Sequence, residues 1–215
     1  DAERSARLAA IRQWLAAETG DGLWLSDVRE GDVRLLVLVH RMAANRLGFP
    51  NLYAALNDRA PMSLSEGLSD GTAWPLRPLV QHILPLVVAA QAGDRFTVIS
   101  TLRSECPRLE PARLRGQATA PVLTALQQAL DGLVGLLAAG SQATIRDVLT
   151  HVRDNELLRL DDRFAMHLVA EPVDDGSSGF ENVQAYLACG VDELWAYRRY
   201  FTEESPFATH HGVKG

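Results

Sequence analysis

The stretch of the sequence with the most reactive side chains is THHGVKG, residues 209–215. Thr209 brings a hydroxyl, His211 an imidazole and Lys214 an ammonium group, and the glycines leave backbone N–H groups accessible. These are all groups that bind phosphate oxygens. The stretch therefore predicts a polar loop that holds phosphates. Adjacent histidines on an extended segment point in opposite directions, and no Cys or carboxylate stands at ligand spacing, so we predict no metal site.

A second candidate is Arg41, which is separated by His40 alone from a short apolar run, Leu35 to Val39. Such a run is typical of a strand buried on both faces, as in a parallel sheet. A strand of this kind needs neighbours on both edges, and one further extended stretch, PFAT at 206–209, precedes the polar loop. We therefore expect Arg41 at the end of a strand of an α/β domain.

The third candidate is an arginine-rich stretch, RSECPRLEPARLRG. Its arginines outnumber its acidic residues in a chain whose net charge is −6: Arg103, Arg108, Arg113 and Arg115 stand against Glu105 and Glu110. Arginine grips the nucleic-acid backbone well, which makes these four residues candidates for DNA binding. An ordinary solvated helix face is the alternative.

The composition limits the class of protein. The chain has 215 residues, of which 47% are hydrophobic and 22% charged, as in ordinary globular domains. Its two cysteines, Cys106 and Cys189, lie far apart, which excludes a disulfide scaffold and fits a reducing cytoplasm. No apolar run is long enough to span a bilayer, so we expect no membrane partner. The chain begins with Asp1 and stops within the polar loop, so we expect a piece of a longer protein.

The middle of the sequence predicts an all-helical block. Between Ala118 and Ala138 leucines recur at a spacing of three to four residues, starting at Leu123. Thr144 and Asp147 stand at the positions of a capping box before another helix. The pattern predicts a mainly α fold, with a helical domain inserted into an α/β domain of which only the flanks are present.

Two segments resemble a known family. Thr209, His211, Lys214 and Gly215 match motif V of superfamily 1 DNA helicases of the UvrD/Rep type, Thr-x-His-x-x-Lys-Gly. The segment LLVLVHRMAANRLGF resembles motif IV, with Arg41 as its arginine. In that family a helical domain, 2B, is inserted between these motifs into the RecA-like domain 2A. The resemblance implies that residues 1–60 are part of 2A, 61–203 a 2B-type insertion and 204–215 the return to 2A.

The resemblance also implies the function of the parent protein, an ATP-dependent DNA helicase that hydrolyses ATP with Mg²⁺ and acts in DNA repair. Arg41, Lys214 and Gly215 would contact the nucleotide, and Thr209 and His211 the DNA. The partners would be single-stranded DNA, a duplex junction and domain 1A of the helicase. The Walker A and Walker B motifs and the arginine of motif VI are absent, so this piece alone would not hydrolyse ATP.

A different class of protein is the alternative. The acidic charge and the leucine-rich helices are also compatible with a helical protein-interaction domain without nucleotide chemistry. In that case the terminal loop would match motif V by chance. No Ser-His-Asp or Cys-His arrangement indicates an enzyme of another kind.

Overall fold

A computed structural model describes residues 2–25, 35–37, 40–68, 71–169, 179–202 and 207–209. In chain order the helices are α1 (Ala2–Thr19), α2 (His40–Leu47), α3 (Pro50–Asn57), α4 (Met62–Ser65), α5 (Leu84–Gln91), α6 (Arg95–Glu105), α7 (Pro111–Leu114), α8 (Thr119–Leu136), α9 (Ile145–Asp154), α10 (Phe180–Leu187) and α11 (Val191–Phe201). The strands are β1 (Leu35–Val37) and β2 (Phe207–Thr209). The predicted mainly helical fold is confirmed.

Contacts within the chain divide it into two units. Unit 1 comprises residues 1–47 and 197–215, and unit 2 comprises residues 48–196. Unit 1 is therefore assembled from two separate segments, and the whole of unit 2 lies between them in the sequence. The assignment of the units to domains 2A and 2B remains a prediction.

In unit 1, α1 ends at a glycine. Gly20 follows the last helical residue with a φ of +69°, a left-handed conformation that glycine adopts without steric cost. The chain then turns back, and the Arg12 Nε donates a hydrogen bond of 2.6 Å to the Trp24 carbonyl. The predicted strand near residue 36 is confirmed as β1, which pairs in parallel with β2.

Unit 2 is built around helices that pack on one another. Helix α5 packs against α6 and α8, α8 packs against α9, and α10 packs against α3. Leu133 on α8 and Leu149 on α9 are fully buried, as are Tyr186 and Leu187 on α10. Burying a side chain of this size contributes about 1.5–3 kcal/mol, so this core is the main source of stability in unit 2.

Polar contacts fix the ends of these helices. The predicted capping box of α9 is confirmed: the Thr144 hydroxyl accepts from the Asp147 N–H, and the Asp147 carboxylate accepts from the Thr144 N–H. At the start of α3, the Glu193 carboxylate accepts from the Asn51 side chain at 2.7 Å and from the Leu52 N–H at 2.9 Å. These contacts satisfy N–H groups that a helix leaves without partners in its first turn.

One detail differs from the sequence pattern. Leu123 begins the predicted apolar stripe of α8, but its side chain is 53% exposed because the packed face starts one turn later, at Leu126. Helix α11 begins at Val191, with Asp192 in its first turn. A π-helical turn, Leu79–Ile83, comes before α5, and Pro85 lies in the first turn of α5. A proline has no N–H to donate, which makes a helix start its natural place.

Candidate nucleic-acid interface

The first part of the candidate site is one edge of the β1–β2 pair in unit 1. The register pairs Leu35 with Phe207 and Val37 with Thr209. Since the strands are parallel, their carboxyl ends lie at the same edge. Helix α2 follows β1 there. The fold thus brings Val37, within the first motif-like segment, beside Thr209, the first residue of the second, although the two residues lie far apart in the sequence.

Arg41 is the second residue of α2, and its side chain is exposed. Its neighbour His40 is hydrogen-bonded through Nδ1 to the Tyr200 hydroxyl, and the two rings meet edge to face at 6.2 Å. This contact ties the first residue of α2 to the last turn of α11. It therefore fixes the helix start that carries Arg41.

Of the remaining residues predicted at this edge, Thr209 is the last residue of β2. The backbone of Thr209 lies beside that of Val37. His211, Lys214 and Gly215 lie outside the described residues. Their predicted contacts with DNA or nucleotide stay predictions.

The second part of the candidate site is the arginine-rich stretch in unit 2. Helix α6 ends at Glu105, and a 3-10 turn, Pro107–Leu109, and the short helix α7 follow. A proline begins each of these short elements, which suits a helix start and keeps the chain from continuing α6. Cys106 is buried at the junction and donates its thiol proton to the Glu156 carbonyl at 3.3 Å. The stretch is thereby anchored to the turn that follows α9.

Two of the four predicted arginines converge on one carboxylate. The Arg113 Nη1 donates to the Glu156 Oε1 at 2.9 Å, and the Arg108 Nε lies 3.6 Å from the Glu156 Oε2. All three side chains are between one-third and one-half exposed, at 33% to 47%. They line a pocket of about 360 Å³, together with Gln117, Pro121, Val122 and Ala125.

The other two predicted arginines stand apart from this pocket. Arg103, in the last turn of α6, and Arg115, just after α7, are both exposed. Neither guanidinium group makes a hydrogen bond or an ion pair within the part of the chain that the structure describes. They are available to solvent and to a ligand, but the fold does not gather them with Arg108 and Arg113.

The ion pairs between these arginines and acidic residues were not predicted from the sequence. Glu156 neutralises part of the arginine charge, and a further pair joins the Arg159 guanidinium to the Glu110 carboxylate on the same stretch. Both partners come from the turn after α9, far along the sequence. The loss of helical periodicity after Asp154 signals that turn, but nothing in the sequence says which element it faces.

The described residues offer little to a nucleotide or a metal ion. No group of three or more His, Cys, Asp or Glu side chains is placed to hold a metal ion in the described part of the chain. Of the residues assigned to the nucleotide, Arg41 alone is described. One guanidinium cannot form a triphosphate site, so we derive no step through ATP or Mg²⁺.

The two thiols do not behave as nucleophiles. Burial raises the pKa of the Cys106 thiol, and it raises the pKa of the Cys189 thiol to about 12. Both therefore stay protonated at neutral pH, and a protonated thiol is unreactive.

No helix in the described ranges combines the length and the apolarity that crossing a bilayer requires. Comparisons of the chain with protein-family models, with curated proteins and with solved structures found no match.

Proposed function

We propose that this chain is part of an ATP-dependent DNA helicase resembling the UvrD/Rep type, and that it contributes contacts to DNA phosphates. The observation that carries the proposal is the parallel pairing of β1 with β2. It puts the start of the helix bearing Arg41 and the start of the Thr209–Gly215 loop at one carboxyl edge. In open α/β sheets, ligands bind outside the carboxyl ends of parallel strands.

The residue types at this edge suit a phosphate-rich ligand. Thr209 supplies a hydroxyl, His211 an imidazole, and the loop supplies backbone N–H groups to the phosphates of a DNA strand. Arg41 would face the nucleotide of the parent protein together with Lys214. In that parent, bound ATP would supply the free energy for moving along DNA. The present chain would supply part of the grip.

The order of the two units supports the same proposal. Unit 2 is a helical body inserted between the two segments of unit 1. A helical domain inserted between motifs IV and V is the organisation that the resemblance implies. Unit 2 would then contact duplex DNA through its arginines near Arg108.

The experiment is a titration of fluorescent forked DNA with the 215-residue chain, in EDTA, at about 50 and 200 mM salt. A protein that contacts several phosphates releases counterions, so its affinity falls steeply as salt rises. We expect binding at low salt and at least a tenfold loss at high salt. No binding at either salt would contradict the proposal.

A matched pair of variants assigns the binding to the sheet edge. Thr209→Val removes the hydroxyl at the end of β2, and Thr124→Val makes the same change at an exposed position of helix α8, in unit 2. Losing one hydrogen bond costs about 0.5–1.5 kcal/mol, so Thr209→Val should bind about three- to tenfold more weakly. Thr124→Val should bind like the wild type. Equal affinities for the two variants would remove Thr209 from the interface.

The second candidate function is a protein-interaction domain, and one feature of unit 2 favours it. A groove of about 460 Å³ runs between α6 and α8, with Val98, Ile99, Leu130 and Val134 in its lining. Phe96 is 83% exposed and Leu123 53% exposed on the same two helices. Exposed apolar side chains of this size beside a groove are typical of surfaces that bind proteins.

The two functions differ in what each variant changes. A double variant, Val98→Ser with Ile99→Ser, removes apolar side chains from the lining of the groove but leaves every arginine in place. It should bind forked DNA as the wild type does if the helicase proposal holds. If the wild-type chain ignores DNA, the interaction domain becomes the better account.

A further inference from the structure

The Glu156 carboxylate lies between two guanidinium groups of the arginine-rich stretch. Its two carboxylate oxygens face two different guanidinium groups, at 2.9 Å from Arg113 and 3.6 Å from Arg108. Two arginines around one anion is an arrangement that binds phosphate as well as carboxylate. The local charge of the three side chains is about +1 with Glu156 in place and about +2 without it.

The backbone of Glu156 is held in an unusual conformation. Its φ is +48°, and among the described residues other than glycine only Arg59 shares a positive φ. Residues other than glycine, asparagine, aspartate and histidine rarely adopt this region, and such outliers cluster at functional sites. The Glu156 N–H donates to the Arg153 carbonyl at 3.0 Å, and its carbonyl accepts from the Cys106 thiol. These two contacts fix the backbone of the residue that carries the carboxylate.

The pocket leaves room for a ligand beside the carboxylate. The lining includes the two arginines and, from α8, the apolar side chains Pro121, Val122 and Ala125. A volume of about 360 Å³ is large enough for a sugar–phosphate unit. Because the side chains are part-exposed, Glu156 can swing away without burying an unpaired charge.

We propose that Glu156 is an internal competitor for DNA: a backbone phosphate binds Arg108 and Arg113 only when it displaces the Glu156 carboxylate. This inference rests on the proposed function and assigns a regulatory residue to it. It predicts that unit 2 holds DNA weakly until Glu156 is moved or neutralised.

The test compares wild type with Glu156→Gln in the forked-DNA titration. Glutamine keeps the shape of the side chain but carries no charge. Freeing two part-exposed arginines from their ion pairs should tighten binding about three- to tenfold at low salt. The slope of log affinity against log salt should become steeper by about 0.9 for each phosphate gained. Glu156→Asn is the second variant, because asparagine tolerates a positive φ and also lacks charge.

Asp131→Asn is the matched control for net charge. Asp131 accepts from Gln127 at 2.8 Å and lines the groove on the opposite face of α8, away from Arg108 and Arg113. It loses the same single charge, so the difference between the two variants measures the local effect of Glu156. In a background that carries both Arg108→Gln and Arg113→Gln, the gain from Glu156→Gln should vanish.

The outcomes separate this inference from the proposed function. Wild type that binds DNA, with Glu156→Gln and Glu156→Asn tighter and steeper than Asp131→Asn, supports both. Wild type that binds, with all three variants alike, overturns the inference and leaves the function standing. A gain that survives in the double-arginine background also overturns it. If neither wild type nor Glu156→Gln binds DNA at low salt, the proposed function has failed and the inference with it.

Discussion

The two units of this chain differ in how many of their described large side chains are buried. Unit 2 buries large side chains from most of its helices, among them Phe49, Phe164 and Tyr186. Among the described side chains of unit 1, the buried ones are Ala43, Ala44 and Tyr197. On α1, Trp14 is 61% exposed and Ile11 54% exposed.

This difference in burial indicates that side-chain packing stabilises unit 2 more than unit 1. A helical core of the kind found in unit 2 supplies both burial and satisfied helix ends. Unit 1 has a parallel pair of short strands, and parallel strands in known folds are covered on both faces. We therefore expect substitutions to cost stability in unit 2 and to cost much less in unit 1.

The largest effect should come from the core of unit 2. Leu133→Ala removes a fully buried side chain from α8 and should lower the free energy of unfolding by about 2–5 kcal/mol. Leu123→Ala, on the same helix, removes a side chain that is 53% exposed and should cost less than about 1 kcal/mol. Urea unfolding followed by circular dichroism measures both. Equal losses would mean that α8 does not pack as described.

Removing one tyrosine hydroxyl from each unit compares the stability cost of losing a hydrogen bond in the two units. The Tyr186 hydroxyl in unit 2 donates to the Pro75 carbonyl at 3.1 Å, and both residues are buried. Tyr186→Phe leaves that carbonyl without its donor and should cost about 1–3 kcal/mol. Tyr200→Phe in unit 1 breaks the part-buried contact with His40, where water can replace the hydroxyl, and should cost at most about 1 kcal/mol. A larger loss from Tyr200→Phe, measured in the same urea series, would reverse the comparison.

Alanine substitutions at two glycines of α8 test how tightly unit 2 is packed around that helix. A methyl group at Gly132 would lie 2.8 Å from the His151 Cε1, whereas at Gly135 it would meet nothing within 4 Å. The His151 Nε2 is 2.8 Å from the Ala129 carbonyl, so the ring cannot move without losing that hydrogen bond. Gly135→Ala should stabilise the helix by up to about 1 kcal/mol.

Gly132→Ala gains the same helix propensity but displaces the imidazole. We expect it to unfold about 1–2 kcal/mol more easily than Gly135→Ala, again by urea unfolding. Two alanine variants of equal stability would show that the His151 ring has space to turn.

The smallest effect is electrostatic. Hydrogen bonds from Arg163 lower the pKa of the Asp161 carboxyl to about 2. A pKa that is lower in the folded state adds stability above the unfolded value near 3.8, and this contribution is lost as pH falls towards 2. Asp161 is 34% exposed at its side chain, so the contribution is at most about 1 kcal/mol.

Asp161→Asn should therefore be less stable than wild type at pH 7, and the difference should shrink between pH 4 and pH 2. Asp162→Asn, next in the chain, removes an exposed carboxylate with no hydrogen bond or ion pair in the described structure and serves as control. If the difference in stability between Asp161→Asn and wild type is the same at pH 4 and at pH 2, this electrostatic origin is excluded.

The sequence predicted those parts of the fold that depend on local chemistry. The capping box at Thr144 and the strand near Leu36 each follow from a few neighbouring residues. The exposure of Leu123 could not be predicted, because the packing of α8 against α5 and α9 decides where the packed face begins. Periodicity gives the face of a helix, but not how far a neighbour covers it.

The candidate site was predicted only in part for the same reason. The four arginines are visible in the sequence, and so are the hydroxyl, imidazole and ammonium groups of Thr209, His211 and Lys214. The ion pair with Glu156 joins residues far apart in the chain, and no local pattern reports it. The pairing of Val37 with Thr209 is also long-range, although two strand-like stretches made it a reasonable expectation.

The most direct test of the central claim is hydrogen–deuterium exchange of the 215-residue chain with and without saturating forked DNA. We predict slower exchange in peptides that cover residues 207–215 and 106–115, and unchanged exchange in α10. Protection confined to the groove between α6 and α8, or none in either segment, would contradict the claim that this chain grips DNA phosphates.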